Sequence, residues 1–91
     1  MTPAARIQAA IEVLEGLEKT TQAADKFLRG WFASRRFAGS KDRAAISARV
    51  YAVLRRRGSL TWHMGSAAPR ALVIASLVSD GLLVAEIESL F

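Results

Sequence analysis

The chain has 91 residues, 52% apolar and 23% charged, which suits one domain with a continuous core and not a disordered tail. It has no cysteine and a single histidine, which excludes disulfides, thiolate metal sites and cysteine nucleophiles and nearly excludes a structural zinc. The net charge is +5; no apolar run approaches the roughly 18–20 residues of a membrane span and no secretory leader is evident, so the default expectation is a soluble, cytoplasmic protein.

Thr2-Pro3 reads as an N-cap followed by proline at the first helical position, where its missing N–H is not needed. Ile7, Ala10, Ile11, Leu14 and Leu17 then recur at spacings of three and four, with Glu12, Glu15 and Glu18 opposite. This predicts an amphipathic helix over about residues 3–18. Thr20-Thr21 offers the next N-cap. Ala24, Phe27, Leu28, Trp31 and Phe32 form the apolar stripe of a second helix over about 21–34, which fades into Arg35-Arg36-Phe37 and breaks at Gly39.

Ser40 is the N-cap candidate for a third helix, with Asp42 in its first turn complementing the helix dipole. Ile46, Val50, Val53 and Leu54 mark one face, and Gly58 is the expected C′ residue after three arginines. Ala44, Ala48 and Ala52 occupy the opposite flank, so this helix is expected to be packed on both sides, at the centre of the bundle.

Ser59 to Met64 reads as a short helical turn with Leu60 and Trp62 pointing inward, before a break at Ala67-Ala68-Pro69. Arg70 to Val78 is a fourth helix, almost wholly apolar and expected to be buried. Its β-branched residues would also suit a strand, but nothing else in the chain could pair with one. Asp80-Gly81 ends it, and Val84 to Phe91 reads as a last short helix. The chain stops on Leu90-Phe91, residues better suited to continuing than to ending, as expected of a piece of a longer protein. There are no internal repeats or low-complexity tracts. The fold class is all-α: residues 1–91 as one compact bundle of four to six short helices.

The charge is unevenly distributed. Residues 1–25 set Arg6 and Lys19 against Glu12, Glu15, Glu18 and Asp25, a net −2. Residues 26–57 set Lys26, Arg29, Arg35, Arg36, Lys41, Arg43, Arg49, Arg55, Arg56 and Arg57 against Asp42 alone, a net +9. Residues 58–91 return to −2, with Arg70 against Asp80, Glu86 and Glu88. A middle third of this kind attracts polyanions whatever the average charge. The candidate RNA-binding residues are therefore Arg35, Arg36, Lys41, Arg43, Arg49, Arg55, Arg56 and Arg57, which would cluster if the second and third helices packed antiparallel. Ten arginines against three lysines favour bidentate phosphate contacts and stacking on bases. The competing account is that arginines in a last helical turn simply favour the dipole, and that some pair with Asp25 or Asp42. Trp31 and Phe32 belong to the apolar stripe and read as core, whereas Phe37 and Tyr51 are more open.

Nothing in the sequence assembles a catalytic site. The acids are scattered on solvated helix faces, His63 has no carboxylate partner in sequence and reads as a surface or interhelix residue, and the glycines form no phosphate-cradling motif. No catalytic, cofactor or metal residues are expected.

Phe37-Ala38-Gly39-Ser40-Lys41-Asp42-Arg43, then Val50 to Arg57, then Leu60-Thr61-Trp62, resembles the N-terminal helical domain of the bacterial rRNA (cytosine-C5) methyltransferases of the RsmB/Sun/Fmu (NOP) type, a domain similar to the antitermination factor NusB. The resemblance is strongest over residues 37–62. It implies an NusB-like bundle, here without its later helices, that binds ribosomal RNA and positions it for a C-terminal Rossmann-like domain. That second domain would bring S-adenosylmethionine and two cysteines; this chain has neither the cysteines nor room for the domain. A second reading is a helical protein-interaction module that dimerises or docks on a catalytic domain or an antitermination-type partner. A third, a small DNA-binding protein, is weakened by the absence of asparagine and by having glutamine only at positions 8 and 22.

Overall fold

A computed structural model of the chain describes the backbone of residues 1–91 and every side chain except those of residues 62–64. The described residues form six helices: α1 (Pro3–Leu17), α2 (Ala24–Ala33), α3 (Ser40–Arg55), α4 (Arg57–Met64), α5 (Pro69–Ser79) and α6 (Val84–Glu88). The all-α reading holds, with six short helices. The expected inward placement of Trp62 and the reading of His63 concern side chains outside the described residues.

α1 starts as its sequence predicts. The Thr2 hydroxyl accepts the Ala5 N–H at 3.1 Å, and Pro3 occupies the first turn. Its buried face is wider than a simple stripe: Ile7, Ala9, Ala10, Ile11, Val13 and Leu14 are all buried. That width lets α1 pack against α2, α3 and α5 together. α1 thus shares the central position that the sequence assigns to α3.

α3 departs from expectation in three places. Its N-cap is Gly39, with Ser40 the first helical residue. Asp42 is one turn in and buried, and it accepts the Gly39 N–H at 3.1 Å, so the third helical residue closes the helix end in place of the N-cap side chain. The alanine flank is not a second packing face: Ala44 and Ala48 are exposed and Ala52 is half-buried. Finally, Gly58 does not end the helix. α3 stops at Arg55, and Arg56, at φ −114° and ψ 16°, turns the chain directly into α4, which contains Gly58. That backbone conformation suits any residue, so no glycine is required there. The left-handed residue falls later, at Gly65 (φ 63°), which closes α4.

α2 is shorter than predicted. Its N-cap is Ala23, and Thr20 instead accepts the Gln22 N–H at 3.2 Å in the preceding loop. α2 packs on α1 through a close approach, with the Phe27 ring lying over Gly16. A Cβ there would fall 2.4 Å from Phe27 Cζ.

α1 and α3 run parallel. Arg6 of the first turn of α1 pairs with Asp42 of the first turn of α3, and Glu18 just past α1 pairs with Arg57 just past α3. α5 runs the other way. Pro69 and Leu72 lie beside Val53 and Leu54, whereas Ser76 and Asp80 reach Arg49. The core between these helices is Val13, Ile46, Val50, Val53, Leu72, Val73 and Leu77, with Leu60 entering from α4.

α5 is less buried than its composition predicts. Leu72, Val73, Ala75, Ser76 and Leu77 are buried, but Val78 is 56% exposed. The Cα atoms span only 33 × 29 × 16 Å, and in so thin a bundle every helix keeps an outer face. A Schellman turn at Gly81 (φ 88°) ends α5: Gly81 N–H donates to the Val78 carbonyl and Leu82 N–H to that of Leu77. The last helix covers five residues, fewer than predicted.

Candidate nucleic-acid interface

The eight sequence-predicted basic residues do not form one patch. α3 rises about 1.5 Å per residue, so Arg43 and Arg55 stand roughly 18 Å apart along its axis. α2, moreover, packs on α1 and does not lie flat against α3. The antiparallel pairing that would have gathered the residues is absent, and the charge divides among five places.

Arg49 is held within the fold. Its Nη1 donates to Asp80 Oδ2 at 2.7 Å and to Ser76 Oγ at 3.2 Å, while Ser76 Oγ donates in turn to the Val73 carbonyl. The side chain is 19% exposed. Its position explains how a serine can be buried in α5, and makes Arg49 a tie between α3 and α5.

Arg35 is also committed. Its Cζ lies 4.1 Å from the centroid of the Trp31 ring, and its Nη1 donates to Ser34 Oγ at 2.8 Å. Trp31 meets Phe32 edge-on at 5.4 Å, and both rings pack against the core as read from the stripe. Tyr51, expected to be more open, also packs against the core. The guanidinium of Arg35 therefore covers an aromatic cluster.

Arg55, Arg56 and Arg57 are exposed at the α3–α4 corner. Arg57 Nη2 lies 3.5 Å from Glu18 Oε1, a surface pair of small energetic weight. Lys41 is exposed on the first turn of α3.

The fifth place is a concave one. Arg29, Phe32 and Ala33 of α2, Arg36 just beyond it and Arg43 of α3 line a cleft of about 440 Å³. All three arginines are exposed, and among the described residues none is in an ion pair. No carboxylate lines the cleft. The nearest acid in sequence, Asp42, is turned inward onto Arg6 at 2.8 Å and the Met1 ammonium at 3.4 Å. The Arg6 contact is the main cause that holds the Asp42 carboxyl below its ordinary pKa, with partial burial opposing it. Asp42 thus stays ionised and occupied, and leaves the cleft to the cations.

Arg43 is oriented before any ligand arrives, because its Nε donates to the Ala38 carbonyl at 3.1 Å. Its terminal nitrogens remain for a second partner. Three arginines line one hollow, one of them pre-set, and guanidinium forks match the geometry of phosphate oxygens.

Of these three arginines, Arg36 and Arg43 belong to the sequence-predicted set and Arg29 does not. The signal was present: Arg29, Phe32, Ala33 and Arg36 stand at i, i+3, i+4 and i+7, the spacing of one helical face.

No family model, no curated protein and no solved structure matches the chain.

Proposed function

We propose that the chain is an RNA-holding module whose phosphate-binding site is the Arg29–Arg36–Arg43 cleft. The observation that carries this reading is that three arginines converge on one hollow with no carboxylate among its lining residues. Gathering like charge in this way disfavours the fold, and an incoming polyanion reverses that effect. The Phe37–Trp62 sequence pattern supports the finer reading: an NusB-like N-terminal domain that positions ribosomal RNA for an S-adenosylmethionine-dependent cytosine-C5 methyltransferase domain in cis. On this reading the chain does no chemistry by itself.

The test compares two arginine sets in fluorescence anisotropy with a labelled 12-nucleotide RNA at 50 mM salt. R29Q/R36Q/R43Q is expected to weaken binding by roughly tenfold or more, since each phosphate contact carries its own counterion release. R55Q/R56Q, at the far corner, is expected to change it less. Equal losses from both sets would move the site away from the cleft.

A protein-interaction role has its own supporting observation. Val78, Leu83 and Val84, at the α5–α6 corner, are 56%, 68% and 71% exposed. A salt-insensitive dimer in light scattering, lost in V78S/V84S, would favour that reading.

A further inference from the structure

Phe37 is the most exposed of the large apolar side chains described, at 72%. An exposed phenylalanine on a fraying loop would need no explanation. Phe37, however, sits in an anchored turn. The next residue, Ala38, is 1% exposed; its N–H donates to the Arg35 carbonyl and its own carbonyl accepts Arg43 Nε. Gly39 N–H is tied to Asp42, which is tied to Arg6. The backbone following the ring is thus pinned to α3, and through Asp42 to α1. The ring is displayed outward by a fixed frame.

Its surroundings select among the partners an exposed ring could take. Arg36, immediately before it, lines the cleft, and so does Arg43, which holds the turn. Phe37 itself is not in the cleft lining, but it stands between Arg36, which is, and Ala38, whose carbonyl holds the cleft residue Arg43; no carboxylate lines that hollow. An aromatic face beside a phosphate site is the arrangement that binds an unpaired nucleotide, with the base on the ring and the backbone on the cations. Duplex RNA presents no free base face, because its bases are stacked on one another.

We propose that Phe37 is a stacking platform for one unpaired base of an RNA whose phosphates lie in the Arg29–Arg36–Arg43 cleft, so that the site takes single-stranded or looped RNA in preference to duplex. This rests on the cleft reading above and adds a ligand class to it.

The test measures anisotropy of a labelled 12-nucleotide single strand and of a blunt 12-base-pair RNA duplex with the full chain. F37A is expected to weaken the single strand about 5- to 150-fold, the range of one lost base–aromatic stack, and to leave the duplex unchanged. F37W is expected to retain single-strand binding and F37L to lose most of it, since the π-face and not apolar area is needed. Wild-type single-strand affinity in F37A or F37L overturns the proposal, as does equal loss of both RNAs. A self-association abolished by F37A, with RNA binding intact, overturns it in favour of a protein contact. The cleft reading is separable: it fails if R29Q/R36Q/R43Q binds both RNAs as wild type does, whatever F37A does. Phe37 packs on nothing in the core, so circular dichroism of each variant should melt as wild type.

Discussion

Arg6 Nε donates to Asp42 Oδ1 at 2.8 Å across 36 residues of sequence, joining the first turn of α1 to the first turn of α3. Asp42 also receives the Gly39 N–H and the Met1 ammonium, so one carboxylate closes a helix end and joins the starts of two parallel helices. It also stands directly beside Arg43. The folding interaction and the cleft are therefore neighbours in both sequence and space.

Stability should fall in acid through this group. The folded state holds the Asp42 carboxyl below its ordinary pKa, chiefly through Arg6, so the unfolded chain binds the proton more readily. Its contribution is complete above the ordinary carboxylate range, near pH 4, and is lost as pH falls through that range toward the lower folded pKa. D42N should lower the melting temperature at pH 7 and remove part of the acid dependence. An unchanged pH profile in D42N would show that other carboxyls set the acid limit.

Gly16 should resist replacement. Alanine is favoured over glycine in a helix by about 1 kcal/mol, but its Cβ would meet the Phe27 ring at 2.4 Å. Overpacking of this kind costs about 1–3 kcal/mol, so G16A should be destabilising by about 1 kcal/mol in urea denaturation. In an F27L background the same change should be neutral or stabilising. A stabilising G16A in the wild-type background would refute the packing described for α1 and α2.

Gly58 and Gly65 should respond in opposite directions. Gly58 lies inside α4 with open space where a Cβ would go, so G58A should stabilise by about 0.5–1 kcal/mol. Gly65 has φ 63°, so G65A should destabilise by about 1 kcal/mol. Had Gly58 ended a helix in the left-handed conformation, as its position after three arginines predicts, G58A would be the harmful change.

Arg49 should matter for folding and not for RNA. Its pair with Asp80 and its contact with Ser76 tie α3 to α5. R49A should lower stability by about 1 kcal/mol, through lost packing of the stem as well as the pair. RNA affinity should stay within about twofold of wild type, since Arg49 lies outside the cleft. A tenfold loss of affinity in folded R49A would return it to the interface.

Helix by helix, the sequence was readable because periodicity and caps are local. Thr2-Pro3 and Asp80-Gly81 mark the start of α1 and the end of α5, and the Ile46/Val50/Val53 spacing identifies the buried face of α3. What one helix does to another was less readable. Arg6 of α1 meets Asp42 of the parallel α3, and nothing in the sequence near either residue announces the partner. The basic residues show the same limit. A net charge over residues 26–57 counts Arg49 and Arg35 equally with Arg36, although one is held by Asp80 and another lies on Trp31. Arg29 lies outside the dense charge run of 35–57, whereas the cleft gathers Arg29 and Phe32 of α2, Arg36 in the turn beyond it and Arg43 of α3.

The salt dependence of RNA binding tests the cleft most directly. At roughly −0.7 per phosphate contact on a single strand, three arginines contribute about −2 to the slope of log affinity against log salt. R29Q/R36Q/R43Q should lose about that much of the wild-type slope, while R49A keeps it. A triple variant with the wild-type slope would contradict the assignment of phosphate binding to this cleft.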